Sequence, residues 1–123
     1  MSAPAIVLSA PAGFEDALAT AAAGCEEEGV PSIAIEGTGT AAEHAREAAR
    51  ASGLGIGVGI GSEGACIALA ASAGPYLAGG LAETRLIGQN AARIAARRPL
   101  SLDRLSVPGP ARAVPPSPPS RGR

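Results

Sequence analysis

Residues 54–70 read LGIGVGIGSEGACIALA. Leu54, Ile56, Val58 and Ile60 alternate with glycine, which is the period of a strand, and glycine on the opposite face admits a close neighbour. Ser62-Glu63-Gly64 supplies turn chemistry, and Ala65–Ala70 returns as a second strand. The fold depends on whether this hairpin stands alone or closes a series of strand and helix units.

Upstream, the series is present. Ala5–Ser9 (AIVLS) is a short apolar run stopped by Pro11 and Gly13, as expected of a buried strand. From Phe14 the period changes: Phe14, Leu18, Ala22 and Cys25 recur at helical spacing, Gly29 offers a stop and Pro31 forbids continuation. Pro31–Glu36 (PSIAIE) alternates again and ends at the Gly37–Gly39 turn. Thr40 with Glu43 three residues on forms a capping box for the helix AAEHAREAARAS, which ends at Gly53. Its wet face carries Glu43, Arg46, Glu47 and Arg50, while Ala42, Ala45, Ala49 and Ser52 form a small-residue face suited to a sheet.

Downstream, Gly74 and Pro75 break the chain before a short strand at Tyr76–Ala78, and a last helix is expected over about Leu86–Arg97. The order β-α-β-α-β-β-(β)-α predicts a small α/β three-layer, Rossmann-like domain with a mostly parallel sheet and helices on both faces. It occupies residues 1–100. Residues 101–123, rich in Pro, Ser, Arg and Gly, are expected to form a disordered tail.

The 123 residues suit one domain, and the formal net charge is −1. That sum conceals a segregation: residues 1–96 hold four Arg against ten acids, a net of −6, and residues 97–123 hold six Arg against one Asp, a net of +5. The body therefore lacks the basic field of a nucleic-acid binder. No apolar run reaches the roughly 18 residues of a membrane span, and no basic residue precedes the apolar N-terminal stretch, so neither an anchor nor a secretory signal is expected. Alanine supplies much of the apolar content and Phe14 and Tyr76 are the only aromatics, so the core is poor in large side chains. Such a domain gains from a partner that covers it. Cys25 and Cys66 lack metal or redox spacing and read as reduced core thiols.

Several features could carry chemistry. Gly59–Gly64 matches G-x-G-x-x-G, but a dinucleotide fingerprint must open a helix, whereas a strand follows here and Glu63 would stand beside the phosphates. A glycine-rich turn is the better reading. His44 is the only histidine, which excludes a histidine metal cluster or a Ser-His-Asp arrangement, and beside Glu43 and Glu47 it reads as a surface residue. No catalytic constellation is expected in this chain. Gln89 and Asn90 suit local capping at a helix start, the commoner role, or the presentation of amides to a partner. Glu26-Glu27-Glu28 stands at the C-terminal end of the first helix, where the dipole disfavours anions by roughly 0.3–1 kcal/mol each. Either solvent covers the triplet, or a cation or basic partner draws at least one carboxylate out of bulk water; such an oxygen ligand suits Mg²⁺ or Ca²⁺.

Four stretches in order, SAPAIVL, CEEEGVPS, AREAARASGLGIGVGI and GQNAARIAARRPL, spanning residues 2–100, give a resemblance to a known family. The sequence resembles the small (beta) subunit of the diol/glycerol dehydratase reactivating factor of propanediol-utilisation operons. The resemblance implies a fold like that of the dehydratase medium subunit, and a large partner subunit with an actin/Hsp70-like ATPase domain in a heterotetramer-type complex. It implies a non-catalytic chaperone subunit: it vacates the large subunit, which then engages an adenosylcobalamin-dependent dehydratase and releases damaged cobalamin at the expense of ATP. It places an interface Mg²⁺ on Glu27 and no organic cofactor on this chain. It assigns no specific role to Asn90 or Arg93. The implied setting is cytoplasmic, with association to a bacterial microcompartment and the choice of glycerol or diol left open. The stretch AASAGPYLAGGLAETRL departs from its relatives, and the tail lies outside the resemblance. The alternative reading is a free-standing domain for cobalamin or a nucleotide at Gly59–Gly64, although the Asp-x-His-x-x-Gly cobalamin signature is absent.

Overall fold

The computed structural model describes residues 4–72, 74–102 and 104–107. Strand β1 (Ile6–Ala10) leads to helix α1 (Glu15–Glu27), strand β2 (Ser32–Glu36) to helix α2 (Ala41–Ala51), and strands β3 (Ile56–Gly61), β4 (Gly64–Leu69) and β5 (Pro75–Gly79) follow in succession. A 3₁₀ turn at Leu81–Glu83 feeds helix α3 (Thr84–Ala96). The short strand expected at Tyr76–Ala78 is therefore present and longer by one residue at each end.

The sheet has the order β2-β1-β3-β4-β5. Pairings β1–β2 and β1–β3 are parallel, and β3–β4 and β4–β5 are antiparallel. Parallel pairing belongs to the half built through α1 and α2, because only a crossover can return the chain in the same direction. Gly61 pairs with Gly64, leaving Ser62 and Glu63 as a two-residue hairpin loop. Here G-x-G-x-x-G is a hairpin.

Alternation along the strands sorts two faces. Ile6 and Leu8 of β1, Ile56, Val58 and Ile60 of β3, and Ile67 of β4 pack with Ala21 and Cys25 of α1 and Ile87 and Ala91 of α3. Each buried isoleucine or valine there contributes about 1.5–3 kcal/mol relative to exposure. The opposite face carries α2, whose Ala41, Ala45 and Ala49 meet Cys66 and Ala68. Helices thus cover both faces, α1 and α3 on one and α2 on the other, which is the expected three-layer arrangement.

Glycine sets how closely the layers approach. A β-carbon on Gly57 would overlap the backbone of Ala45 and Ala49, and one on Gly59 the backbone of Ala41 and Ala45. The G-x-G face of β3 is thus the seat of α2. Ala41, Ala45, Ala48 and Ala49 form the buried face of α2, with Ala42 only partly covered. The capping box expected at Thr40 is formed: the Thr40 hydroxyl accepts from the Glu43 N–H, and the Glu43 carboxylate accepts from the Thr40 N–H at 2.9 Å. Glu43 is thereby engaged at the cap, and among the described residues α2 forms no ion pair with Arg46 or Arg50.

His44 corrects the expectation of a surface histidine. It is fully buried under α2, with Nδ1 2.8 Å from the Ser9 hydroxyl of β1. Its position in the first turn of α2 points it inward beside Ala45 and Ala41, so the neighbouring glutamates in sequence do not define its surroundings.

Contacts to the domain continue past residue 100. Asn90 donates to the Ser101 carbonyl at 2.6 Å and accepts from the Ser101 N–H at 2.8 Å. Leu105 packs against the main core, and Ser106 pairs with Ala78 of β5 through two backbone hydrogen bonds. Packed structure thus continues through Ser106. Of the expected tail, residue 103 and residues 108–123 lie outside the described residues.

Candidate functional site

The acid triplet lies on the seam between α1 and α3. The helices cross in backbone contact: β-carbons on Gly24 and Gly88 would overlap, respectively, the Arg85 carbonyl of α3 and the Ala21 carbonyl of α1. Glycine inside a helix costs about 1 kcal/mol against alanine. Close approach offsets that cost and brings the polar flank of α3 within reach of the end of α1.

The result is a charged row. Glu27 receives Arg85 on one carboxylate oxygen and the Gln89 amide on the other, the latter at 2.6 Å. Glu28 receives Arg93 at 3.1 Å and a second guanidinium from Arg98. Arg98 also donates to the Glu28 backbone carbonyl at 3.2 Å, so one side chain answers both a carboxylate and an orphan carbonyl of the α1 terminus. Glu26 remains exposed. The Arg93 hydrogen bond, with Arg98 beside it, holds the Glu28 carboxyl below its ordinary value.

The unfavourable placement of three anions at a helix C-terminus is therefore first met from within the chain. Successive residues diverge around α1 by about 100°, which directs Glu27 and Glu28 to different partners along α3. Gln89 and Asn90 sit in the middle of α3 and cap nothing, contrary to the expected helix start. Gln89 orients Glu27, Asn90 ties down the segment after the helix, and Arg93 pairs with Glu28.

Glu27 fits a divalent cation only as one member of a shared set. Its side chain keeps 36% of its surface exposed, so it is reachable from outside. Both its oxygens are engaged, so a cation would displace Arg85 or Gln89. Among the described residues no group of three or more His, Cys, Asp or Glu stands together as a metal cage. The other ligands would be water or donors from a partner, a donor set suited to Mg²⁺.

The N-terminus of α2 is the other place where an anion could bind. Besides the Thr40 cap, the Glu63 carboxylate from the hairpin loop accepts the Ala41 N–H at 2.7 Å. That hydrogen bond lowers the Glu63 pKa. The chain's own carboxylate thus occupies the position a phosphate would take at a helix start. The glycines of Gly59–Gly64 face α2 and β5 backbone, leaving no cradle for a pyrophosphate. Cys25 and Cys66 are free and buried, and burial pushes both thiols up to about 11, so they remain protonated core residues. Among the described residues no helix is long and apolar enough to cross a membrane.

Comparisons with known proteins agree on the architecture. The family model for the dehydratase medium subunit matches residues 3–101. A glycerol dehydratase reactivase chain is similar at 27% identity, with 80% of this chain and 97% of that one covered and a TM-score of 0.72. A chain from the structure of diol dehydratase-reactivating factor complexed with ADP and Mg²⁺ is similar at 25% identity, with 81% and 99% covered and a TM-score of 0.71. No curated protein sequence matches.

Proposed function

We propose that this chain, which belongs to the dehydratase medium subunit family, is the small, non-catalytic subunit of a dehydratase reactivase. The observation that carries this reading is coverage: the domain accounts for 97% and 99% of two reactivase chains, so it corresponds to whole subunits in that machinery. The absence of a catalytic constellation in the sequence agrees with an accessory role.

In this reading the chain docks on a large ATPase subunit and leaves it when that subunit engages the cobalamin-dependent dehydratase. Its likeness to the medium subunit makes exchange physically reasonable, because two similar folds can compete for one surface by mass action. ATP is hydrolysed on the partner, and damaged cobalamin leaves the client enzyme. The chain works in the cytoplasm, wherever the client resides. Glu27 contributes one oxygen to an Mg²⁺ shared with the partner, exchanging its contact with Arg85 for the cation. The α1–α3 seam is then the docking edge, since it presents an exposed carboxylate already held in position by Gln89.

The test is co-expression of the full chain with a large ATPase-type reactivase subunit. A complex that co-purifies in Mg²⁺, weakens in chelator and weakens with Glu27→Ala is expected. Failure to co-purify under any of these conditions overturns the reading.

A further inference from the structure

The edge strand β2 is left open on two sides. Its register with β1 sets Ile33 opposite Val7 and Ile35 opposite Ser9, so both isoleucines lie on the face that carries α2. α2 covers β1, β3 and β4 and stops short of β2. Ile33 is consequently 53% exposed and Ile35 40% exposed. An open groove of about 420 Å³ separates them from the flank of α2, lined by Ile35, Glu47, Arg50 and Ala51.

The backbone of β2 is open as well. Pro31 gives its carbonyl to the Ile6 N–H and Gly37 gives its N–H to the Ala10 carbonyl, so the odd-numbered residues face β1. Ser32, Ala34 and Glu36 therefore direct their N–H and C=O groups outward. Native edges are usually protected by lysine, proline, a bulge or a covering element. Residues 33–35 have none of these, and the chain around them is regular.

We propose that β2 pairs antiparallel with β2 of a second copy of this chain, about a two-fold axis at Ala34, giving a continuous ten-stranded sheet. The edge is self-complementary in that register. Ala34 meets Ala34, Ile33 meets Ile35 in both directions, and four isoleucines form one apolar stripe. Both α2 helices then lie on the same face, on either side of the stripe. A foreign strand would satisfy the backbone groups equally, but Ile33 and Ile35 stand symmetrically about Ala34, whose own N–H and C=O point outward, so the edge matches a second copy of itself in backbone and side chains at once.

The test is the mass of the full chain in solution by light scattering and sedimentation over a concentration series, independent of any large subunit. A rise toward two chains is expected. Ala34→Pro removes an outward N–H while leaving the ladder to β1 intact, and it should return the protein to one chain with an unchanged circular dichroism spectrum. Ile33→Thr with Ile35→Thr keeps strand propensity and should weaken dimerisation as well. A single chain at every concentration overturns the proposal, and so does a dimer unaffected by either change. If the free chain is monomeric and Ala34→Pro abolishes capture of the large subunit, the edge belongs to that partner and the proposal is likewise overturned. The reactivase reading survives either failure, since its own readout is capture of the large subunit.

Discussion

Gly24 of α1 and Gly88 of α3 lie where the two helices cross, and neither leaves room for a β-carbon. At Gly88 the obstacle is the Ala21 backbone, which cannot rotate away as a side chain could. Helix propensity alone favours Gly88→Ala by about 1 kcal/mol. Overpacking against backbone outweighs it, and Gly88→Ala is expected to destabilise the domain by about 1–3 kcal/mol, read from the urea midpoint. A stabilised variant would mean that the helices can separate freely.

Ser9 and His44 form a buried pair beneath α2. His44 Nδ1 has the Ser9 hydroxyl, and among the described residues its Nε2 has no hydrogen-bond partner. Ser9→Ala strands a second buried nitrogen and should cost about 1–3 kcal/mol. Replacing His44 by Leu as well removes the stranded group, so the double variant should lose less than the sum of the single ones. A double-mutant cycle by chemical denaturation measures the difference, and strict additivity would contradict the pairing.

Acid stability depends on Glu28 and Glu63, both with pKa values lowered in the fold. A carboxyl with a depressed folded pKa contributes stability above its unfolded value and loses that contribution as pH falls through the folded one. Stability should therefore decline as pH drops below the ordinary value of 4.5. Glu28→Gln should be less stable at neutral pH and should flatten the decline. Parallel denaturation curves for the variant and the parent across that range would contradict the role assigned to Arg93 and Arg98.

Arg85 competes with any cation for Glu27. Arg85→Met keeps a long helix-forming side chain and frees the carboxylate oxygen that Arg85 holds. Capture of the large subunit should then reach half-maximum at a lower Mg²⁺ concentration than with the parent chain. A shift to higher Mg²⁺ would indicate that Arg85 assists the interface directly.

Ser101, Leu105 and Ser106 are held by the Asn90 hydrogen bonds, the main core and the Ala78 pairing in turn. A chain ending at residue 100 should be less stable than one ending at 107 by about 2 kcal/mol, from one partly buried leucine and a few hydrogen bonds. Asn90→Ala should raise amide exchange at Ala78 and Ser106. Equal stability of the two truncations would show that these contacts add nothing to the domain.

The sequence by itself determined the elements and their order. Thr40 and Glu43 cap α2 because the two lie within one turn, Ser62–Glu63 closes the hairpin because turn chemistry is local, and the glycines of β3 announce a close neighbour through their alternation. Each of these signals is carried by residues a few positions apart. Only the tertiary structure decided where the charges and buried polar groups end up. Glu27 and Arg85 are separated by 58 residues, Glu28 and Arg98 by 70, and Ser9 and His44 by 35. Their meeting depends on the α1–α3 crossing and on α2 sitting against the G-x-G face, distances that no local period encodes. For the same reason the exposure of Ile33 and Ile35 was hidden in a strand pattern that reads as well for a covered strand as for an open edge. Position in the sheet, and the reach of α2 across it, made that difference.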